Sequence, residues 1–238
     1  MKRFRYLMMS LLLMTFALLF ATGTARAQDP VTAMPDRYKV LLENDQVRVF
    51  EAFGKPGEKR STYKRGTNVM YTLSPSKAKF TYAGGRSEVR EFKTGQVDFA
   101  MPRAHAVEVI GNNEAHVLIV ELKKAGRHGK TVRGADAVAA DPKHFKVRLN
   151  NPSVRVLEFH AKPGDKVRMH AHPDYVVYNL SGGKTRFTNA EGKIEEREAT
   201  EGSATWNDSE RHAAEIIGGS EAHSLLIEIK SPRGKAKM

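Results

Sequence analysis

The chain has 238 residues and carries 39 lysines and arginines against 27 acidic residues, which gives a formal net charge of +12. With 40% hydrophobic and 8% aromatic residues it can bury a core, and this excludes global disorder. The absence of cysteine excludes a disulfide scaffold, a thiolate zinc site, an iron–sulfur cluster and a cysteine nucleophile.

The N-terminus has the three parts of an export signal. Basic residues within the first five positions precede an apolar run over residues 7–20. This run is shorter than the roughly 20 residues that a membrane-spanning helix needs. A small-residue motif then predicts cleavage between Ala27 and Gln28. We expect residues 1–27 to be a signal peptide, with an uncleaved anchor as the alternative. The mature protein is then periplasmic or secreted, with no stable membrane insertion.

An internal duplication organises the rest of the chain. Residues 37–123 align without a gap with residues 144–230, and about 36 of the 87 pairs are identical. Such a match is far beyond chance and predicts two copies of one domain. We place the first domain at residues 34–124 and the second at residues 143–230.

Two basic segments lie outside the two copies. Residues 125–142 are basic at the start and alanine-rich at the end, which predicts a linker with one helical turn. Residues 231–238 form a basic tail. Such charge runs are usually solvated, although they can attract anionic surfaces. Nucleic acid is not an expected partner because no recognition motif is present.

Each copy predicts short strands rather than helices. In the second copy, residues 154–159 alternate polar and apolar side chains, and residues 176–180 and 225–229 do so less strictly. Glycine and proline clusters separate these segments, and neither copy contains a long helical period. The predicted fold class is therefore all-β, with two small antiparallel barrels in tandem.

Three histidines of the second copy have the spacing of metal ligands. His170 and His172 alternate on one predicted strand, so their side chains face the same side. His212, from a distant strand, can complete a set for one divalent transition metal and leave positions for substrate or water. Imidazole suits Fe, Mn, Ni, Cu, Co and Zn alike. The alternative is three solvated or hydrogen-bonded histidines without a metal.

The residues around these histidines resemble a known superfamily. Gly164, followed by His170 and His172 and by a glycine pair ten residues later, resembles the first cupin motif. The segment from Gly202 to His212 resembles the second cupin motif. With its duplication the mature chain resembles a bicupin, and its second copy is also similar to small bacterial single-domain cupins. The resemblance implies two jelly-roll barrels and a metal that His170, His172 and His212 hold in the second.

The second copy also departs from the cupin pattern. The glutamate ligand of the first motif should fall at Val176 or Val177, and it is missing. The Pro-x-Gly of the second motif is replaced by residues 207–209. Cupins with a three-histidine site exist, thiol dioxygenases among them. The resemblance therefore still implies metal binding, but it transfers no particular activity.

Three further residues of the second copy each have two interpretations. Asp174 has the parity of a fourth, oxygen ligand, whereas a turn residue after the preceding proline is the simpler interpretation. Tyr178 shares this inward parity, so its hydroxyl can contact a bound ligand. Alternatively, its ring packs in the core with the hydroxyl at the rim. Trp206 either lines the pocket or packs in the core.

The first copy lacks the histidine set. Tyr63 stands at the position that corresponds to His170. Arg65 corresponds to His172, and only His105 keeps a histidine. A lone histidine cannot hold a catalytic metal, and a guanidinium would repel one. We therefore predict that the first domain is a degenerate structural partner, in which Arg65 either grips a carboxylate or points into water.

Two functions follow from these patterns. The first is a metal-dependent enzyme with a dioxygenase- or isomerase-type reaction on a small polar substrate, in which the metal acts as a Lewis acid or as an oxygen-binding iron. The second is non-catalytic binding or sensing of a small acid or sugar. The intact histidine set favours the first, whereas the missing glutamate and the degenerate first copy favour the second. A small molecule is the expected partner in both, and the sequence leaves homo-oligomerisation open.

Overall fold

The computed structural model describes residues 29–123 and 129–230. The predicted signal peptide with its cleavage site, residues 124–128 and the basic tail lie outside the described residues. As predicted, the described chain is nearly all β. Its α-helices are two single turns, α1 (Pro30–Ala33) and α2 (Ala137–Ala140). Neither they nor any other helix of the described part has the length and apolarity to span a membrane.

The described part of each repeat forms nine strands. The strands of the first repeat are β1 (Tyr38–Glu43), β2 (Val47–Gly54), β3 (Lys59–Arg65), β4 (Asn68–Ser74), β5 (Ser76–Tyr82), β6 (Ser87–Phe92), β7 (Val97–Ala100), β8 (Arg103–Val109) and β9 (Ala115–Leu122). Those of the second are β10 (Phe145–Asn150), β11 (Val154–Ala161), β12 (Lys166–His172), β13 (Tyr175–Asn179), β14 (Gly183–Asn189), β15 (Ile194–Ala199), β16 (Ala204–Asn207), β17 (Glu210–Gly218) and β18 (Ala222–Ile229). Short 3-10 turns occupy Pro35–Arg37 and Ala83–Gly85.

Each repeat folds into two antiparallel sheets with the same topology. In the first repeat, the five-stranded sheet has the order β1-β2-β9-β4-β7 and the four-stranded sheet the order β3-β8-β5-β6. The second repeat has the corresponding orders β10-β11-β18-β13-β16 and β12-β17-β14-β15. The duplication in the sequence is therefore also a duplication in structure. Most neighbouring strands are far apart along the chain, so long-range pairing determines which side chains meet.

The two sheets of the second repeat enclose a hydrophobic core. Leu157 and Leu226 of the five-stranded sheet pack in one cluster with Val167 and Ala214 of the four-stranded sheet. All four are buried. Burying one large aliphatic side chain contributes about 1.5–3 kcal/mol to folding. This cluster anchors β12 and β17, which carry the predicted metal ligands, against the opposite sheet.

The five-stranded sheets of the two repeats pack face to face. The buried residues of this contact are seven pairs at equivalent positions: Val47 and Val154, Val49 and Val156, Val69 and Val176, Tyr71 and Tyr178, Leu118 and Leu225, Val120 and Ile227, Leu122 and Ile229. In addition, β1 contacts β16, and the equivalent strand β10 contacts β7. The two repeats are thus related by a pseudo-twofold axis. Each repeat covers an apolar face of the other.

The segment before the second repeat packs against it. Asp136 caps α2 by accepting hydrogen bonds from the amides of Val138 at 3.1 Å and Ala139 at 3.3 Å. Ala137 is fully buried in the core of the second repeat, and Asp136 forms a parallel bridge with Ala171. This segment belongs to the predicted linker, and α2 is its helical turn. The bridge places α2 beside the strand that carries His170 and His172.

Candidate metal centre

The three histidines predicted as ligands lie together at one end of the four-stranded sheet of the second repeat. His170 and His172 are on β12, and His212 lies opposite His170 on β17. One ring nitrogen of each lies within 4.8 Å of those of the other two. The three residues are only 1%, 1% and 6% exposed. Among the described residues, no other group of three potential ligands meets this distance.

Hydrogen bonds fix the orientation of two of the rings. The Nδ1 atom of His170 donates to the carbonyl oxygen of Arg168 at 2.6 Å, and Nδ1 of His172 donates to Oε1 of Glu228 at 2.8 Å. Each Nε2 is therefore deprotonated and carries a lone pair. Both Nε2 atoms are buried without a hydrogen-bond partner. Buried lone pairs that nothing satisfies fit a bound metal ion, so these residues suit a metal site.

Glu210 supports the third ring. Its Oε1 lies 3.3 Å from Nδ1 of His212, which is an ion-pair distance rather than an aligned hydrogen bond. The same oxygen accepts the hydroxyl of Tyr175 at 2.6 Å. Burial raises the pKa of Glu210, but His212 and Tyr175 outweigh it and lower the pKa to about 2. An ionised Glu210 attracts the proton of His212 to Nδ1, which leaves Nε2 to bind a ligand.

His170 and His172 are neutral at physiological pH, because the pKa of each lies below its ordinary value. Burial, and after it the neighbouring His172 and His212, lower the pKa of His170 to about 3. Burial also lowers the pKa of His172, although Glu228 opposes this shift. Neutral imidazole is the form that binds metals, so these two residues need no deprotonation before they bind a cation.

Glu228 links the site to a chain of charges. It is 1% exposed, and its Oε2 accepts a hydrogen bond from Nε of Arg155 at 2.5 Å. A second guanidinium nitrogen of Arg155 lies 2.5 Å from Oδ2 of Asp136, the cap of α2. An unpaired buried carboxylate would cost several kcal/mol, and Arg155 offsets this cost. The orientation of His172 therefore depends on three charged residues from two strands and a helix cap.

A cavity of about 220 Å³ lies beside the three histidines, which form part of its wall. Much of the wall is apolar, with the rings of Phe145, Phe159 and Phe187. Arg197 also lines the cavity, and its guanidinium lies 4.9 Å from the centroid of the Phe187 ring. The volume is below the range of pockets for drug-sized ligands, so it suits a molecule of a few heavy atoms.

Asp174 does not belong to the histidine group, although its parity allowed an oxygen ligand. Its Oδ2 accepts the amide of Lys130 at 3.0 Å, and its Oδ1 accepts the amide of Ser209 at 2.8 Å. Both carboxylate oxygens thus accept hydrogen bonds from backbone amides. Asp174 ties the turn after β12 to the segments before β10 and before β17, as a turn residue would.

Tyr178 and Trp206 lie away from the cavity. The inward parity predicted for Tyr178 is wrong: the ring packs in the core between the repeats, and its hydroxyl donates to Glu51 at 2.8 Å. Trp206 packs against the same core, and its Nε1 donates to Asp208 at 3.0 Å. Val177, one of the two positions for the missing cupin glutamate, does line the cavity, whereas Val176 belongs to the core between the repeats.

The corresponding positions of the first repeat form a different site. Tyr63 lies opposite His105 in the register of β3 and β8, as His170 lies opposite His212 in the second repeat. The rings of Tyr63 and His105 are 5.1 Å apart between centroids. The guanidinium of Arg65 lies 5.0 Å from the centroid of Tyr63. Among the described residues of this repeat, no three potential metal ligands lie within 4.8 Å of one another.

Sequence reasoning missed the residues that support the histidines. Glu228 looked like an ordinary polar position of an alternating strand, and Glu210 and Tyr175 carried no motif. One signal was available for Glu228. It corresponds to Glu121 in the first copy, just as Arg155 corresponds to Arg48, so both copies carry the same acid and base at these places. Such a pair within apolar strands indicates a buried ion pair.

Comparison with solved structures finds the same fold in other proteins. Bacillus subtilis oxalate decarboxylase, studied for its Mn(II) centres, matches with a TM-score of 0.55 and 13% identity over 85% of this chain and 72% of that chain. The formate complex of Lactobacillus farciminis oxalate decarboxylase matches with a TM-score of 0.54 and 12% identity over 79% and 78%. AerE from Microcystis aeruginosa matches with a TM-score of 0.52 and 10% identity over 82% and 97%.

These likenesses show the fold. The chain has the bicupin fold of these oxalate decarboxylases, as the duplication and the histidine motif predicted. No family model and no curated protein matches the sequence. The three-histidine group fits a metal-binding cupin.

Proposed function

We propose that the protein is an exported bicupin with two jelly-roll barrels, whose second barrel binds one divalent transition metal. We further propose that it uses this metal in a dioxygenase- or isomerase-type reaction on a small polar substrate. One observation carries the proposal: the buried, unpartnered Nε2 atoms of His170 and His172 lie beside His212 in the wall of a cavity. The Mn(II) centres of the similarly folded B. subtilis enzyme support metal chemistry in this fold.

The residues of the site have different roles. A divalent ion held by the three histidines would supply a Lewis acid or, if it is iron, an oxygen-binding centre. Glu228 and the carbonyl of Arg168 keep two of the rings oriented toward the ion. The phenylalanine rings of the wall exclude water and strengthen electrostatic interactions in the cavity. Arg197 lines the wall but is paired with Glu195 through two hydrogen bonds of 2.9 and 3.0 Å, so it adds little free charge.

Val177 favours a second candidate function, which is binding or sensing without turnover. It lines the cavity, and its isopropyl group replaces a carboxylate ligand at one of the two positions for the cupin glutamate. A site with one ligand fewer can still hold a metal and a small acid without supporting chemistry. Metal-dependent turnover separates the two functions.

Metal analysis of the full mature chain tests the proposal. We expect about one ion per chain in the wild type and less than about a tenth of that in His212→Ala. His105→Ala is the matched control, because His105 holds the equivalent place in the first repeat. It should retain the full metal content. Equal metal in all three proteins would contradict the site. Turnover of small carboxylic acids by loaded but not by chelator-treated protein would support the enzyme over the binding protein.

A further inference from the structure

The first repeat contains a cavity of its own, and it is the larger of the two. Its volume is about 400 Å³, against about 220 Å³ for the cavity beside the histidines. Four arginines contribute to its wall: Arg60, Arg65, Arg90 and Arg103. The wall contains a single acidic residue, Glu88, which accepts a hydrogen bond from Tyr82. Cations thus outnumber acids in this wall, which suits an anionic ligand.

Arg65 is the central group of this wall. It stands at the position of His172, so a fixed cation takes the place at which the second repeat presents a metal ligand. Its guanidinium packs over Tyr63, and one terminal nitrogen lies 3.5 Å from the hydroxyl of Tyr38. Its Nε is buried and has no hydrogen-bond partner. Because a buried unpaired donor is costly, this nitrogen indicates a missing acceptor.

The other arginines differ in how far they are neutralised. All three guanidinium nitrogens of Arg60 donate hydrogen bonds. Their acceptors are the carboxylate of Glu58, the hydroxyl of Tyr38 and the carbonyl of Phe53. Arg90 lies 3.4 Å from Asp98. The guanidinium of Arg103 lies 3.6 Å from the ring centroid of Tyr82, a contact that leaves its charge available. Arg103 and Arg65 are therefore the cations that can pair with a ligand.

The rest of the wall is aromatic and aliphatic. Phe80 and Phe92 line the cavity with Met70, Val107 and Ile119. His105 adds no positive charge, because burial and the nearby Arg65 lower its pKa to about 4. A ligand that fills this space needs an apolar body as well as an anionic head. Arginine binds a carboxylate through two parallel hydrogen bonds, so a carboxylate is the head that its planar fork fits best.

We propose that the cavity of the first repeat binds a small organic carboxylate with an apolar body, held by Arg65 with help from Arg103. The first repeat is then a metal-independent binding domain as well as a structural partner. The guanidinium supplies permanently the positive charge that the second repeat obtains from an ion. This site does not depend on the metal centre, because its lining residues all belong to the first repeat.

Calorimetry with the full mature chain, treated with chelator, tests this site. The probes are benzoate, its neutral analogue benzamide, and inorganic phosphate. We expect one benzoate per chain, with binding at least about tenfold weaker for benzamide because the ion pair is lost. Benzamide or phosphate binding as tightly as benzoate would overturn the proposal, and so would the absence of benzoate binding.

Variants then locate the binding. Arg65→Gln should weaken benzoate binding at least about tenfold, and Arg103→Gln should weaken it less. The control Arg86→Gln removes the same charge at an exposed position outside the cavity wall and should bind like the wild type. The double variant His170→Ala, His172→Ala should also bind benzoate normally. Loss of binding there, or wild-type affinity in Arg65→Gln, would overturn the assignment. If Arg65→Gln fails to fold, Arg65→Lys, which loses the planar fork, and Arg103→Gln should each weaken benzoate binding. Wild-type affinity in both would overturn the assignment.

Discussion

Tyr178 of the second repeat donates its hydroxyl to Oε1 of Glu51 in the first repeat, at a distance of 2.8 Å. Glu51 is 5% exposed, and its other carboxylate oxygen lies 3.3 Å from Nε2 of His116. A buried carboxylate at the contact between the repeats is thus satisfied by a residue from each of them. The hydrogen bond joins the two repeats inside their shared apolar core.

Removal of this hydroxyl should destabilise the whole chain. In Tyr178→Phe the carboxylate of Glu51 keeps its place in the core but loses a donor, so we expect a loss of about 1.5–3 kcal/mol in the free energy of unfolding. Tyr82→Phe is the matched control, because Tyr82 donates to Glu88 at 2.6 Å in a more exposed setting. Urea unfolding should show a clearly smaller loss for the control. Equal losses would show that the hydrogen bond between the repeats stabilises the fold no more than a more exposed one does.

Glu228 should determine metal affinity without touching the metal. Glu228→Gln weakens the hold on Nδ1 of His172, so we expect metal binding to weaken about 10–100-fold, as is typical for such supporting residues. Competition with a chromogenic chelator measures the affinity. Glu121→Gln makes the same change at the equivalent place of the first repeat and should leave the affinity unchanged. Wild-type affinity in Glu228→Gln would show that Glu228 does not control metal affinity.

Asp174 should matter for stability and not for metal stoichiometry. Asp174→Ala removes the acceptor of the amides of Lys130 and Ser209, and the loss of these two partly buried hydrogen bonds should cost about 1–3 kcal/mol of unfolding free energy. The folded variant should still bind one ion per chain. The exposed neighbour Asp208 provides the control Asp208→Ala, for which we expect a smaller loss. A folded Asp174→Ala without metal would show that Asp174 is a ligand after all.

Stability should fall in acid partly through Glu158. Burial raises the pKa of Glu158, but His223 and Arg148 lower it below the ordinary 4.5. The ionised carboxylate therefore stabilises the fold above about pH 4.5, and this contribution is lost as the pH falls through the lowered value. Glu158→Gln should be less stable than the wild type at pH 6 and should lose less stability as the pH falls below about 4.5. An acid profile as steep as that of the exposed control Glu191→Gln would contradict this role.

Export should remove the first 27 residues. The charged start, the short apolar run and the small-residue motif predict that exported protein begins at Gln28. Intact-mass analysis of a periplasmic fraction reads this terminus directly. A full-length product in the membrane fraction would identify the segment as an anchor.

The sequence predicted those features that a strand or a repeat encodes locally. Alternation placed His170 and His172 on one face of β12, and the duplication predicted two copies with the same strand pattern. Parity failed at Tyr178 because β12 ends at His172 and β13 begins at Tyr175. The turn between them restarts the alternation. Tyr175 and Val177 consequently face the cavity, whereas Tyr178 faces the other repeat.

The support of the histidines depends on sheet order, which alternation does not encode. Glu228 meets Arg155 because β18 pairs with β11 in the five-stranded sheet, and it meets His172 from β12 of the other sheet. Its neighbours along the chain are aliphatic, so nothing local distinguishes it from a solvent-facing acid. The same holds for the cavity of the first repeat, because four arginines from three strands become neighbours only in the folded sheets.

The pseudo-twofold contact between the repeats is self-complementary. Each repeat presents the same seven positions to the other, so one copy alone carries both halves of an isologous interface. A single repeat therefore has what it needs to pair with itself as a C2 dimer. Fusion of two copies makes this association independent of concentration and removes the requirement that both partners be identical. One half can then keep histidines where the other has an arginine, and the assembly stays closed while its two cavities diverge in chemistry.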